Sequence, residues 1–278
     1  MKRIYLIPNM ITAFGLACGL FVIFKVNMTE VGTGIYQMLY SAALLVLLAA
    51  LADLIDGAVA RAMKAESEFG VMFDSLSDAI SFGVAPSVLM LKSLSLEQGT
   101  PLSFFSVLAA MIFSICGVLR LVRFNVKASE AKQNEELAIV NKKHFTGLPI
   151  PSAALGAISL NLFLSDPRIA SNEEGDFSVK AFILICSMFI LGYFMISRWK
   201  FPSLKALDFR VPSFSLVLGT VFVALFLLYG VLYFFSLALV VIVWAYILLG
   251  WVLSLIRLFA GKKSLALKDY EPEEENED

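Results

Sequence analysis

Histidine occurs once and cysteine three times in 278 residues, and only 16% of the chain is charged. Each scarcity excludes something. Cys18, Cys116 and Cys186 fall inside apolar runs without paired spacing, which rules out a disulfide framework or a thiolate metal site and leaves them as small apolar residues. His144 stands in a basic loop beside Lys142 and Lys143, where it reads as a residue that meets lipid headgroups. The formal net charge of −1 hides a split, because an acidic C-terminal tail offsets basic loops suited to anionic lipid headgroups, and no nucleic-acid partner is expected. What fills the space is apolar: 59% of residues are hydrophobic and the mean hydropathy is +0.82, far above ordinary soluble domains. Such a chain belongs in a lipid bilayer.

A helix needs about 20 apolar residues to cross the hydrocarbon core. Stretches of that kind lie at about 5–25, 36–60, 69–91, 103–122, 148–165, 178–197, 212–231 and 235–256. The sequence therefore predicts an all-α, polytopic membrane bundle of about eight transmembrane helices. The first stretch is too long for a signal peptide and has no small-residue cleavage site, so it reads as an anchor. Basic residues orient the bundle, because short positively charged loops stay in the cytoplasm. With the N-terminus inside, only Lys25, Lys92, Arg168 and Lys180 of the 22 Lys and Arg fall on the far face. Both termini and the loops that carry Arg61, Arg120 and Arg123 are thus expected in the cytoplasm. Residues 1–260 form the membrane-embedded domain, and 261–278 form an acidic tail too poor in apolar side chains to fold.

Carboxylates are costly inside a membrane, so those present mark a site. Asp53 and Asp56 lie in the second span and Asp74 and Asp78 in the third; no other predicted span has an acid in its interior. Residues three or four apart share a helical face. The link from Arg61 to Glu68 is short, so the two spans are antiparallel neighbours whose acidic faces can turn toward each other. Four such carboxylates cannot all remain ionised in a low dielectric without cations. Oxygen-only ligation suits Mg²⁺, Mn²⁺ or Ca²⁺ over Zn²⁺, and four carboxylates suffice for a pair of ions. A cation transporter, or a scaffold that merely binds metal, would also use buried acids. Neither needs the small residues Gly57, Ala60 and Gly70 and the cation Arg61 in fixed register with them.

The string Asp53-x2-Asp56-Gly57-x2-Ala60-Arg61-x8-Gly70-x3-Asp74-x3-Asp78 resembles, at all eight fixed positions, the signature of the CDP-alcohol phosphatidyltransferase family. That resemblance implies a helical membrane enzyme, usually a homodimer, with its active site open to the cytoplasm. It implies two divalent ions, Mg²⁺ or Mn²⁺, held by Asp53, Asp56, Asp74 and Asp78, with Asp78 also the general base. Gly57, Ala60, Arg61 and Gly70 match positions around the CDP group of the donor, CDP-diacylglycerol. Pro8-Asn9 with Thr12 resembles a stretch at the start of the first helix in this family, near the nucleotide.

Three further segments are similar to the serine-transferring branch of the family: Ser81-Phe82-Gly83-Val84-Ala85-Pro86-Ser87, Arg120-Leu121-Val122-Arg123-Phe124-Asn125 and Phe145-Thr146-Gly147-Leu148-Pro149-Ile150-Pro151. They imply L-serine as acceptor, with Arg120, Arg123 and Asn125 as candidates for its carboxylate or for a donor phosphate. Glycerol 3-phosphate and inositol phosphate are the alternative acceptors for the same donor chemistry. A route through a covalent phosphatidyl-histidine needs a His-Lys-Asp motif, and the only histidine has no Lys two residues after it.

Overall fold

A computed structural model describes residues 6–30, 34–63, 67–97, 99–133, 145–169, 174–197, 199–201, 229–230 and 233–260. In chain order the elements are α1 (Leu6–Met28), α2 (Ile35–Ala62), α3 (Glu68–Asp78), a π-helical segment (Ala79–Val84), α4 (Ala85–Leu94), α5 (Pro101–Gln133), β1 (Phe145–Thr146), α6 (Ile150–Leu164), α7 (Glu174–Ile196), β2 (Lys200–Phe201) and α8 (Phe235–Ala260). Among the described residues the chain is all-helical apart from the two short strands. Five helices among the described residues are long and apolar enough to cross a membrane: α1, α2, the first 26 residues of α5, α7 from Phe177 and α8 to Ile256. This is an integral membrane protein. Helix α6 is apolar but shorter, and the seventh predicted span, 212–231, lies almost wholly outside the described residues, as does the tail 261–278.

The chain divides into two compact units, one made of residues 1–121 and 150–196, the other of 122–149 and 197–278. In the first, α1 packs along α2 and across α3, the π segment and α4, while α6 packs against α2, α4 and α7. Its buried centre is built of small residues such as Ala42, Ala43, Ala49, Ala85, Ala109, Ala153 and Ala154 between larger ones such as Leu39, Phe82, Phe113 and Leu162. Small side chains let membrane helices approach, which matters where lipid removes the hydrophobic drive for helix association. The closest approach is at Gly19 of α1, where a Cβ would lie 2.7 Å from the Cα of Ser81.

The third predicted span is broken where a continuous helix was expected. Pro86 supplies no N–H, and its ring excludes the carbonyl four residues back. The backbone responds with a π turn, in which Ala85 N–H bonds the Ile80 carbonyl five residues back. Serine hydroxyls gather at this turn: Ser87 Oγ and Ser114 Oγ both lie within hydrogen-bond distance of Gly83 O, at 3.1 and 3.0 Å. The two serines also meet each other at 2.9 Å, so the irregular turn is tied to α5.

In the second unit, β1 and β2 pair antiparallel, Phe145 opposite Phe201 and Thr146 opposite Lys200. Gly147 follows with φ of +84°, a backbone conformation that favours glycine, and its N–H bonds Trp199 O at 2.8 Å. Trp199 stacks on Trp251 of α8, with ring centroids 6.1 Å apart.

Candidate metal and donor site

Helix α3 starts sharply. Ser67 has an extended backbone and its hydroxyl accepts the Gly70 N–H at 3.0 Å, an N-cap that fixes where the helical phase begins. From that start, Asp74 and Asp78 fall one turn apart on the face turned to α1 and α2. Asp53 and Asp56 lie on α2 in the same relation, and the two helices bring all four acids around one cavity. Its walls are Thr12, Gly15, Ala49, Asp53, Asp56, Asp74, Ser77, Asp78, Ser81 and Phe82.

Carboxylate oxygens of Asp53, Asp56 and Asp74 lie within 4.8 Å of one another. Asp56 and Asp78 are buried, at 5% and 8% exposure, whereas Asp53 and Asp74 are half-buried. Like charges this close, away from water, repel strongly unless a cation lies between them. A donor set made only of carboxylate oxygens fits a hard divalent ion. Asp78 lines the same cavity one turn beyond Asp74. Arg120 of α5 is buried in the same compact unit as the acids.

The small residues of the signature sit around this cluster in a particular way. Arg61 is exposed, and its guanidinium folds back along α2 so that a Cβ on Gly57 would meet Nη1 at 3.4 Å. Gly70 faces Asn9: a Cβ there would stand 3.2 Å from Asn9 Oδ1 and 3.1 Å from Ser67 Oγ. Gly57 and Gly70 thus keep open the space beside an arginine head and a carboxamide, both able to bind a polar ligand. Ala60 is half-exposed on the same helix as Gly57.

Thr12 is more deeply placed than a surface contact to nucleotide requires. It is 6% exposed and its hydroxyl lies 2.6 Å from Asp56 Oδ2. Arg123 and Asn125 belong to the second unit, where Arg123 Nη2 donates to Ser197 O at 3.4 Å. His144 lies outside the described residues. Ser77 went unremarked in the sequence, and Ser81 and Phe82 entered only within a resembling segment. Spacing alone offered a signal, since Ser77 and Ser81 are one turn apart and interleave with Asp74 and Asp78.

The family profile described as CDP-alcohol phosphatidyltransferase matches residues 5–193. A CDP-diacylglycerol-serine O-phosphatidyltransferase of Helicobacter pylori is 30% identical over 247 residues, which cover 84% of this chain and 92% of that protein. One of the same name from Bacillus subtilis is 32% identical over 199 residues, 72% of this chain and 91% of its own. An archaetidylserine synthase of Methanothermobacter thermautotrophicus is 40% identical over 126 residues, 45% of this chain and 47% of that one. With its acid cluster assembled by two helices of the matched region, the chain belongs to the CDP-alcohol phosphatidyltransferase family.

Proposed function

We propose that the chain transfers the phosphatidyl group of CDP-diacylglycerol to L-serine, forming phosphatidylserine and releasing CMP. The observation that carries the chemistry is the convergence of Asp53, Asp56 and Asp74 within 4.8 Å beside the buried Asp78. The acceptor is supported by the names of relatives aligned along most of the chain.

The hydroxyl oxygen of serine attacks the phosphorus that bears diacylglycerol, the bond from that phosphorus to the CMP oxygen breaks, and the hydroxyl proton is lost. Asp78 accepts the proton as general base, a role that suits a carboxylate held inside the cavity next to the reacting centre. Asp53, Asp56, Asp74 and Asp78 hold two divalent ions, Mg²⁺ or Mn²⁺. When bound, such ions neutralise charge on the transferring phosphoryl group and on the leaving oxygen. Gly57, Ala60 and Gly70 leave room for the CDP group, Asn9 stands at its edge with Thr12 deeper in the cavity wall, and Arg61 grips phosphate oxygens with its forked guanidinium. Arg120, Arg123 and Asn125 are the candidates for the serine carboxylate or a donor phosphate; Arg120, buried in the same compact unit as the acids, is favoured among the three.

The distribution of Lys and Arg supports a site and both termini on the cytoplasmic face, with the membrane domain ending near residue 260 before the acidic tail. The family resemblance supports a homodimer. The test is direct: purified protein, CDP-diacylglycerol, one acceptor at a time and one metal at a time, with CMP followed. A carrier of cations would release none. CMP release with glycerol 3-phosphate or inositol phosphate, but not serine, would replace the acceptor and keep the donor chemistry.

A further inference from the structure

Helix α1 contributes no acid to the site, yet it touches both helices that do. One residue of α1 bonds to both. Thr12 Oγ1 has a single proton and two acceptors in reach, the Pro8 carbonyl at 3.1 Å and Asp56 Oδ2 at 2.6 Å. The shorter distance falls in the range of a hydroxyl donating to a carboxylate, and a bond to an ion is about twice as strong as one between neutral groups. The proton therefore goes to Asp56. Thr12 also accepts through its backbone: Ser77 Oγ donates to Thr12 O at 3.4 Å, from the turn of α3 between Asp74 and Asp78. A turn later Ser81 Oγ donates to Gly15 O at 3.3 Å. Thr12, Asp56, Ser77 and Ser81 are all at most 6% exposed, so water does not compete for these bonds.

We propose that Thr12 is a positioning residue for metal binding, whose hydroxyl orients the Asp56 carboxylate while its carbonyl ties the same residue to the helix of Asp74 and Asp78. The proposal rests on the reading of those acids as metal ligands. A carboxylate can rotate about its last bond, and a fixed hydrogen bond to one oxygen sets the plane and hence the direction of the remaining lone pairs. Partners of ligands in this position typically change metal affinity by about 10- to 100-fold when removed. β-Branched threonine suits the task because its side chain has few rotamers to lose.

The experiment is a Mn²⁺ titration of the detergent-solubilised full chain without substrate, with free Mn²⁺ followed by electron paramagnetic resonance. Thr12→Val keeps the shape and removes the donor, and is expected to raise the Mn²⁺ Kd about 10- to 100-fold; Thr12→Ser, which keeps the hydroxyl, should return it to within about threefold. The metal-free Tm should stay near that of the parent chain, while the rise in Tm produced by Mn²⁺ shrinks. Thr12→Ala is measured alongside, so that the comparison with Thr12→Ser stands even if the valine variant does not fold. An unchanged Kd in Thr12→Val or Thr12→Ala, with the parent chain binding Mn²⁺, overturns the role of Thr12 alone. A parent chain that binds no Mn²⁺ overturns the metal reading and this role together.

Discussion

Arg61 Nη1 lies 3.4 Å from where a Cβ on Gly57 would be, so the arginine head folds back over the glycine with room for no more than a methyl between them. Gly57→Ala should fill the space beside the guanidinium and raise the KM for CDP-diacylglycerol several-fold, with Mn²⁺ affinity retained. Arg61→Lys should raise the same KM further, because an ammonium keeps the charge but loses the two parallel bonds. Steady-state kinetics in mixed micelles measures both, and an unchanged donor KM in Arg61→Lys would remove Arg61 from the donor site.

Replacing Asp53, Asp56 or Asp74 by Asn preserves shape and removes charge. Each is expected to lower kcat/KM by about a hundredfold or more, equivalent to ~3 kcal/mol in the barrier. Chelator should abolish activity of the parent chain, and added Mg²⁺ or Mn²⁺ should restore it. Full activity in chelator would end the two-metal reading.

Asp78→Asn separates the base from the ligands. If Asp78 takes the serine proton, turnover at saturating metal falls much more than donor binding, because proton transfer occurs only as the acceptor attacks. Turnover close to that of the parent chain at saturating Mn²⁺ would exclude Asp78 as base.

The acceptor is tested by competition between chemistries. Serine presents a carboxylate and an ammonium; ethanolamine lacks the first and leaves a cation of the site unpaired, so it should be a poor substrate. Glycerol 3-phosphate, a dianion, asks for more positive charge than a carboxylate does and should also be poor. Arg120→Lys and Arg123→Lys, assayed one at a time, then divide the roles. A raised KM for serine places the arginine at the acceptor, whereas a raised KM for CDP-diacylglycerol places it at the donor.

Packing gives a prediction independent of activity. Gly19→Ala puts a methyl 2.7 Å from the Cα of Ser81, a backbone atom that cannot swing away. Overpacking of this kind costs about 1–3 kcal/mol, so Tm in detergent should fall, and the Ser81 hydroxyl should lose its bond to Gly15 O. A Tm equal to that of the parent chain would mean that α1 and the π segment shift apart freely.

Much of the site was legible because its information is local. Asp53 with Asp56, and Asp74 with Asp78, share faces by helix geometry alone, and the short link between α2 and α3 makes those faces neighbours. The length and apolarity of α1, α2, α5, α7 and α8 were equally plain. The pairing of Thr12 with Asp56 was not legible, because it joins residues 44 apart in the chain and depends on how two helices are rotated against each other. Nor was the π turn. Pro86 announces a disturbance, but whether a helix kinks, stops or widens there depends on donors such as Ser114, which a distant helix supplies. Arg123 and Asn125 stand in the same short segment as Arg120, yet only Arg120 shares a compact unit with the acids.

The π turn after Asp78 acts on angle as well as on hydrogen bonds. An α-helix advances about 100° per residue, and a π segment holds an additional residue in its loop. Everything downstream is therefore re-phased relative to an unbroken helix. Upstream of the turn, one side of the rod presents Asp74 and Asp78 to the acid cavity; downstream, the re-phased rod presents Ser87 to the Ala110 carbonyl and the Ser114 hydroxyl of α5. A single helical rod thus serves two neighbours in two directions. Deleting one residue between Ala79 and Val84 would realign the rod and force it to give up one of them.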